Sequence, residues 1–332
     1  MTMDKNAKIY IAGHRGLAGS AILRELQRQG YTNLVTRTHA ELDLEDAAAT
    51  QRFFEQEKPE IVFLAAARVG GILANNTYPV DFLMSNLLIE ANICNAAHHA
   101  RVRRLIFLGS SCIYPRDCPQ PIREEYLLTG PLEATNRPYA LAKIAGIEMC
   151  WSYNRQYGAK WLAAMPTNLY GLGDNYDLNN SHVLPALIRK MHEAKLYGAD
   201  EVVLWGSGKP KREFLYVDDL ANALVYLAAL DDKRYDALVA PSQCPLINIG
   251  TGTDLTIREL AETVAAVVGY KGKFVQDTSK PDGTMRKVMD VGKINALGWK
   301  ASTGLMEGIA LTYKEFISQN IQPDMSKSRG SP

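Results

Sequence analysis

Two textures alternate along the first half of the chain. Short apolar runs end abruptly in glycine, serine or a charged residue, and each is followed by a longer stretch whose apolar positions recur three and four residues apart. The short runs read as buried strands and the longer ones as helices. Strands are expected over 8–12, 34–36, 60–65, 104–108 and 161–165, and helices over 21–29, 46–57, 79–100 and 139–157. Such alternation implies right-handed crossovers, hence an α/β fold with a doubly wound parallel sheet. After Gly171 the pattern gives way to a loop rich in Asn, Asp and Gly. Beyond it come helices expected over 184–195, 218–230, 256–268 and 306–317, with strands over 201–205 and 246–249. Thr256 is the expected cap of its helix. The reading is a Rossmann domain over 1–170, a smaller α/β C-terminal domain over 171–321 with some segments returning to the first, and a flexible polar tail over 322–332.

The strand exits carry Gly13, Arg37, Ala66, Ser110 and Thr167, all small or polar, at the end of a parallel sheet where ligands bind. Gly13-His14-Arg15-Gly16-Leu17-Ala18-Gly19 spaces its glycines as Gly-x-x-Gly-x-x-Gly. Glycines let the backbone approach a pyrophosphate, and the following helix offers unpaired amides to it. A tight turn is the bland alternative, disfavoured by the repetition of strand and helix. After the second strand stands Thr36-Arg37-Thr38-His39, with no acid to hold the ribose hydroxyls of NAD. Arg15 and Arg37 instead suit the additional phosphate of NADP. Either arginine alone reads equally as a solvated charge; the two together favour NADP.

The chemistry centres on Tyr139-Ala-Leu-Ala-Lys143. Four residues apart on a helix, phenol and ammonium share a face, and a cation beside a tyrosine lowers its pKa from about 10. That makes a proton donor for carbonyl reduction. Upstream, Gly109-Ser110-Ser111-Cys112-Ile113-Tyr114-Pro115 puts a hydroxyl at the end of a strand.

Composition narrows the partners. A formal net charge of +1 over 332 residues gives no global grip on nucleic acid or an anionic membrane, so the partner is small. No apolar run is long enough to span a bilayer. The five cysteines have no metal-ligand spacing and the N-terminus has no apolar signal core, so no metal is expected and a reducing cytoplasm is.

The glycine loop, GSSCIYP and Tyr-x-x-x-Lys together resemble the extended short-chain dehydrogenases, and within them the GDP-L-fucose synthases. The likeness runs from about Lys8 to about Asn320 through AGHRGLAGSAI, LAAARVGGILANNTYP, FLGSSCIYP, PYALAKIAGIE, MPTNLYG, NSHVLPALIRK, WGSGKPKREFLYVDDLA and KPDGTMRK. The resemblance implies a bifunctional NADPH-dependent 3,5-epimerase and 4-reductase of GDP-4-keto-6-deoxy-D-mannose. It makes Ser110, Tyr139 and Lys143 the dehydrogenase triad and Cys112 and His182 the epimerisation pair. Cys112 is read as the base, a thiolate beside Lys143, and His182 as the proton donor; which is which stays open. Structural alternatives are a small buried hydrophobe for Cys112 and a helix cap for His182. The resemblance also implies cofactor contacts from Gly13, His14, Arg15, Gly16, Leu17, Gly19, Arg37, His39, Asp43, Leu108, Lys143, Pro166, Asn168, Leu169 and His182. Lys190, Trp205, Arg212 and Asp282 are the implied substrate contacts. A homodimer follows too, through the helices that start near Pro79 and Tyr139. The sequence departs from the family at His39, where many relatives carry arginine, at Leu172 in place of proline, and at Lys190 in place of arginine. Two rival readings are an epimerase or reductase of another GDP-4-keto sugar and a non-catalytic NADP sensor.

Overall fold

Six strands, five of them buried from end to end, form the spine of the computed structural model, which describes residues 3–178, 180–279 and 282–318. In chain order the first half runs β1 (Ile9–Ala12), α1 (Leu17–Arg28), β2 (Leu34–Val35), α2 (Ala47–Glu57) and β3 (Ile61–Leu64). It continues through a short α3 (Ile72–Thr77), the long α4 (Pro79–His99), β4 (Arg104–Leu108), α5 (Arg137–Tyr157) and β5 (Trp161–Pro166). The second half adds β6 (Asn168–Tyr170), α6 (Val183–Tyr197), β7 (Glu201–Trp205), β8 (Lys211–Arg212), β9 (Phe214–Tyr216), α7 (Val217–Ala228) and α8 (Asp232–Leu238). It closes with β10 (Leu246–Ile249), β11 (Leu255–Thr256), α9 (Ile257–Val268), β12 (Lys273–Asp277), β13 (Arg286–Lys287), α10 (Gly292–Ala296) and α11 (Leu305–Ser318).

The main sheet has the order β2-β1-β3-β4-β5-β10 with every neighbouring pair parallel. Its strands are continuously apolar because helices cover both faces. The pleat sends alternate residues to opposite sides. Ile9, Ile11, Phe63, Ile106 and Leu162 meet Ile22 and Leu26 of α1 and the apolar face of α7. Tyr10, Val62, Leu105, Phe107 and Trp161 meet Phe54 of α2, Ile93 of α4 and Ile147 of α5. Buried Ile, Leu and Phe side chains contribute about 1.5–3 kcal/mol each. A third core joins α6, α9 and α11 through Ile188, Met191, Leu260, Val264 and Phe316.

The chain after Gly171 serves both bodies, since β10 lies against β5 in the main sheet and α7 packs on α1. The long elements lie where periodicity puts them, and Thr256 caps α9 with a reciprocal bond from Glu259. One start differs. Helix α1 begins at Leu17 rather than Ala21, because Gly13 turns the chain sharply with φ 83° and a Cβ there would sit 2.7 Å from the Ala66 nitrogen. The short strands β6, β8, β9, β11 and β13, of two or three residues each, have no sequence period long enough to see. The expected tail over 322–332 lies outside the described residues.

Candidate active site

From β1 the chain goes to β2 on one side and then to β3 on the other, so the strand order reverses between β1 and β3. Parallel sheets open a crevice at such a point, outside the strand C-termini. Here it is a cleft of about 670 Å³, within the range of small-molecule and cofactor sites.

Each strand exit delivers its share of the wall. The turn after β1 brings Gly13, Gly16, Leu17 and Gly19; the stretch after β2 brings Arg37, His39 and Asp43; the end of β4 brings Leu108 and Ser110. From α5 come Tyr139 and Lys143, after β5 come Pro166, Asn168 and Leu169, and at the start of α6 stands His182. Gly19 packs against the turn so closely that a Cβ would lie 2.1 Å from the Gly13 carbonyl oxygen. The N-terminus of α1 therefore points its free amides into the cleft with no side chain in between, which fits the diphosphate of a dinucleotide. His14 and Arg15 stay out of the wall, Arg15 exposed and His14 with a buried Nδ1 that has no partner among the described residues. Arg37 is held by Glu57 of α2 at 2.6 Å, and His39 is 3.7 Å from Asp43.

The electrostatics of the reacting groups differ from the sequence expectation in a specific way. Lys143 is not free to act on Tyr139 alone; its Nζ is 3.1 Å from a carboxylate oxygen of Glu90 on α4. The Tyr139 phenol is pushed well above its ordinary range, by burial first and then by the charges of Cys112 and Glu90. Cys112 occupies the 3-10 turn Ser111–Ile113 after β4, and its N–H donates to Ser110 Oγ at 3.4 Å. Its thiol is pushed up by burial; the Lys287 ammonium opposes this most, then a hydrogen bond from Ser110, and Lys143 less. The expected thiolate beside Lys143 is therefore not the resting form, because burial outweighs the nearby cations. His182 sits at the N-cap position of α6 without a capping hydrogen bond, so the helix-cap reading fails and the ring is left to the cleft. Surrounding protein lowers its pKa.

The four expected substrate residues lie outside the cleft wall and are linked by contacts between neighbours. The Lys190 ammonium sits 5.3 Å from the Trp205 ring centroid and donates to the Val203 carbonyl. Past Trp205 the chain turns at Gly206, and Asp282 accepts from the Ser207 N–H and hydroxyl at 2.6 and 2.7 Å. Gly283 abuts the Arg212 guanidinium, whose charge reaches Lys287, which in turn faces Cys112.

Three residues in this arrangement were not singled out by sequence reasoning. Glu90 and Lys287 are described above. Glu213, completely buried, accepts from the N–H groups of Thr251 and Gly252 after β10 and of Met289 beyond β13. Its own carbonyl accepts from the Asn168 side chain. It thus pins the loops on either side of Arg212 and Lys287. Its sequence signal is an acid set between the basic run Lys209–Arg212 and the apolar run Phe214–Val217.

Residues 9–239 match the NAD dependent epimerase/dehydratase family. The chain belongs to that family. Among relatives, a GDP-L-fucose synthase of Arabidopsis thaliana is 57% identical over 95% of this chain and 94% of its own length. The GDP-L-fucose synthase of Escherichia coli (strain K12) is 54% identical over 93% and 96%. Among solved structures of similar fold, the GDP-mannoheptose C4 reductase of Campylobacter jejuni with NADP bound has a TM-score of 0.87 and 41% identity, over 95% of this chain and 99% of that one. Among the described residues, no group of three His, Cys, Asp or Glu side chains could hold a metal, and no helix is long and apolar enough to cross a membrane.

Proposed function

We propose that the protein is a bifunctional NADPH-dependent enzyme that inverts C3 and C5 of GDP-4-keto-6-deoxy-D-mannose and reduces C4, giving GDP-L-fucose. The observation that carries this is His182 in the cleft wall with Ser110 and Tyr139, and Cys112 just behind that wall, hydrogen-bonded to Ser110 and close enough to Tyr139 to act on its charge, since a plain reductase needs no second pair of proton-transfer groups. The GDP-L-fucose synthase relatives support the sugar.

The 4-keto group acidifies the hydrogens on C3 and C5. Cys112 removes a proton there and His182 returns one on the opposite face, while Ser110 and Tyr139 hydrogen-bond the oxygen where negative charge grows. NADPH, when bound in the cleft, would supply the hydride to C4. Tyr139 then gives its phenolic proton to O4. Gly13, Gly16 and the α1 amides would hold the diphosphate of the cofactor, with Leu17, Gly19, Leu108, Pro166, Asn168 and Leu169 packing around it. Arg37 and His39, with Arg15 beside the turn and Asp43 behind, would face the ribose phosphate. On the sugar-nucleotide side, Arg212 and Lys190 would hold the diphosphate, with Trp205 and Asp282 around the nucleoside.

The direct test is to incubate the protein with GDP-4-keto-6-deoxymannose and either NADPH or NADH, and to identify the sugar by NMR. The expected product is GDP-L-fucose, formed more efficiently with NADPH. A product reduced at C4 with unaltered C3 and C5 would refute the epimerase half. That outcome would favour the second reading, a C4 reductase of another GDP-4-keto sugar such as a heptose, which the Campylobacter jejuni structure supports. A non-catalytic sensor has no need of a proton donor in the cleft.

We further propose a homodimer working in the reducing cytoplasm, an environment that suits five unpaired cysteines. Helix α4 exposes Val80, Met84 and Leu88 at four-residue intervals, and the adjoining α5 exposes Leu141. Two such helix pairs can bury this stripe in a four-helix contact, and a stable dimer needs about 800 Å² per partner. Light scattering should give a dimer for the wild type and a monomer for Met84→Glu/Leu88→Glu. An unchanged mass in the double variant would place the contact elsewhere.

A further inference from the structure

Helix α4 turns Phe82, Asn86, Glu90, Cys94 and Ala97 inward, and Glu90 is the only one of these that carries an acid. It is 1% exposed, as is Lys143 against it. Among the described residues no backbone amide or hydroxyl donates to either of its carboxylate oxygens. Room for it is kept by Gly146 on α5: a Cβ there would meet the Phe107 ring at 2.4 Å and a Glu90 oxygen at 2.8 Å. Glycine inside a helix costs about 1 kcal/mol relative to alanine. A dry ion pair recovers little net stability, because desolvation offsets most of the attraction. Stability alone therefore does not account for an acid at this place, and its neighbours point to the reaction. Lys143 Nζ lies 5.8 Å from the Tyr139 ring centroid and 4.7 Å from that of Phe107.

We infer that Glu90 is a positioning residue of the reductase: its carboxylate anchors Lys143 and cancels that lysine's charge at the Tyr139 ring, so that the phenol meets the keto sugar still holding its proton. This rests on the assignment of Tyr139 as proton donor. A lysine without the acid would draw the tyrosine toward phenolate, the form suited to oxidising an alcohol. With the acid present the pair is neutral overall, whichever of the two partners holds the shared proton. The groups facing the phenol are then Glu90 from α4, Lys143 from its own helix and Cys112 from the turn after β4. Lys287 from β13 acts on Cys112, and His182 of α6 borders the same cleft. The Tyr139 phenol lies high through burial first, and Glu90 adds to that in the same direction.

The test follows the Tyr139 phenol by NMR of protein carrying ¹³Cζ-labelled tyrosine, its resonance assigned by its loss in Tyr139→Phe. No sugar is present, so a wrong substrate assignment leaves the result untouched. Glu90→Gln should bring the titration down by about two pH units, the scale of an uncompensated charge at this distance. Glu90→Asp should stay near the wild type. Glu90→Gln/Lys143→Gln restores a neutral pair and should raise the titration again. In single-turnover reduction, the alkaline limb for Glu90→Gln should move down with the NMR titration. An unmoved titration in Glu90→Gln, with activity lowered evenly at all pH, overturns the inference and leaves Glu90 as packing. If Glu90→Gln does not fold, Glu90→Gln/Lys143→Gln decides: a neutral pair in place of a neutral pair should leave the Tyr139 titration near the wild type, and one raised above it, the mark of a lysine charge that Glu90 had not cancelled, is the overturning result.

Discussion

Tyr139→Phe is expected to lower reductive turnover by about 10²–10⁴, the usual worth of a positioned proton donor, while leaving NADPH binding intact. The phenylalanine keeps the ring that packs edge-on against Phe82 at a centroid distance of 6.3 Å, so the cleft wall should not collapse. Only the proton that O4 receives is lost. Lys143→Met differs, because it also removes a group that lines the cofactor cleft and strands Glu90 without its partner. Cofactor titration by fluorescence, beside turnover, separates the two variants. Unchanged turnover in Tyr139→Phe would mean that another group is the acid.

Cys112→Ala should abolish deuterium wash-in at C3 and C5 of the keto sugar in heavy water without NADPH, a loss of about 10² or more. Slow C4 reduction should survive, giving a sugar with both centres unaltered. The pH dependence is the less obvious part. Burial raises the Cys112 thiol and lowers the His182 imidazole, so both are neutral in the resting site. Thiolate with imidazolium, the working pair, differs from thiol with imidazole by one internal proton. Its share is therefore constant between the two titrations. Wild-type exchange should be flat across neutral pH, falling in acid as His182 protonates and in alkali as Cys112 ionises. Lys287→Met removes the largest charge that favours the thiolate and should slow exchange about tenfold, the equivalent of one pH unit. Exchange at the wild-type rate in Cys112→Ala would reduce the thiol to packing.

The long elements of the first half were legible because buried strands and helices of ten residues or more impose a period that sequence displays. The glycine turn, Ser110 and Tyr139 were legible for a related reason: each sits at a strand exit or on a helix face set by that period. What stayed hidden depends on contacts far apart in sequence. Glu90 and Lys143 are 53 positions apart, as their numbers give, and nothing local to either residue shows the pairing. Lys287 ends a segment that carried the family likeness, yet only the pairing of β13 with β8 brings it beside Arg212 and toward Cys112. The expected low pKa of Tyr139 followed from its neighbour on the same helix, and burial of the phenol, with Cys112 and Glu90 adding to it, reversed the sign.

The late arrival of β10 bears on how the chain is made. Strand β5, buried throughout, has one edge that only β10 can cover, and Ile249 is the last residue of that strand in a chain of 332. A nascent polypeptide that has already assembled β1 to β5 must therefore carry an open, apolar sheet edge while some eighty further residues leave the ribosome. Unpaired edges of this kind recruit other chains. The interval between the synthesis of Pro166 and that of Ile249 is thus when the protein most needs shielding, and a slow translation step placed there would cost yield of folded enzyme without altering any residue.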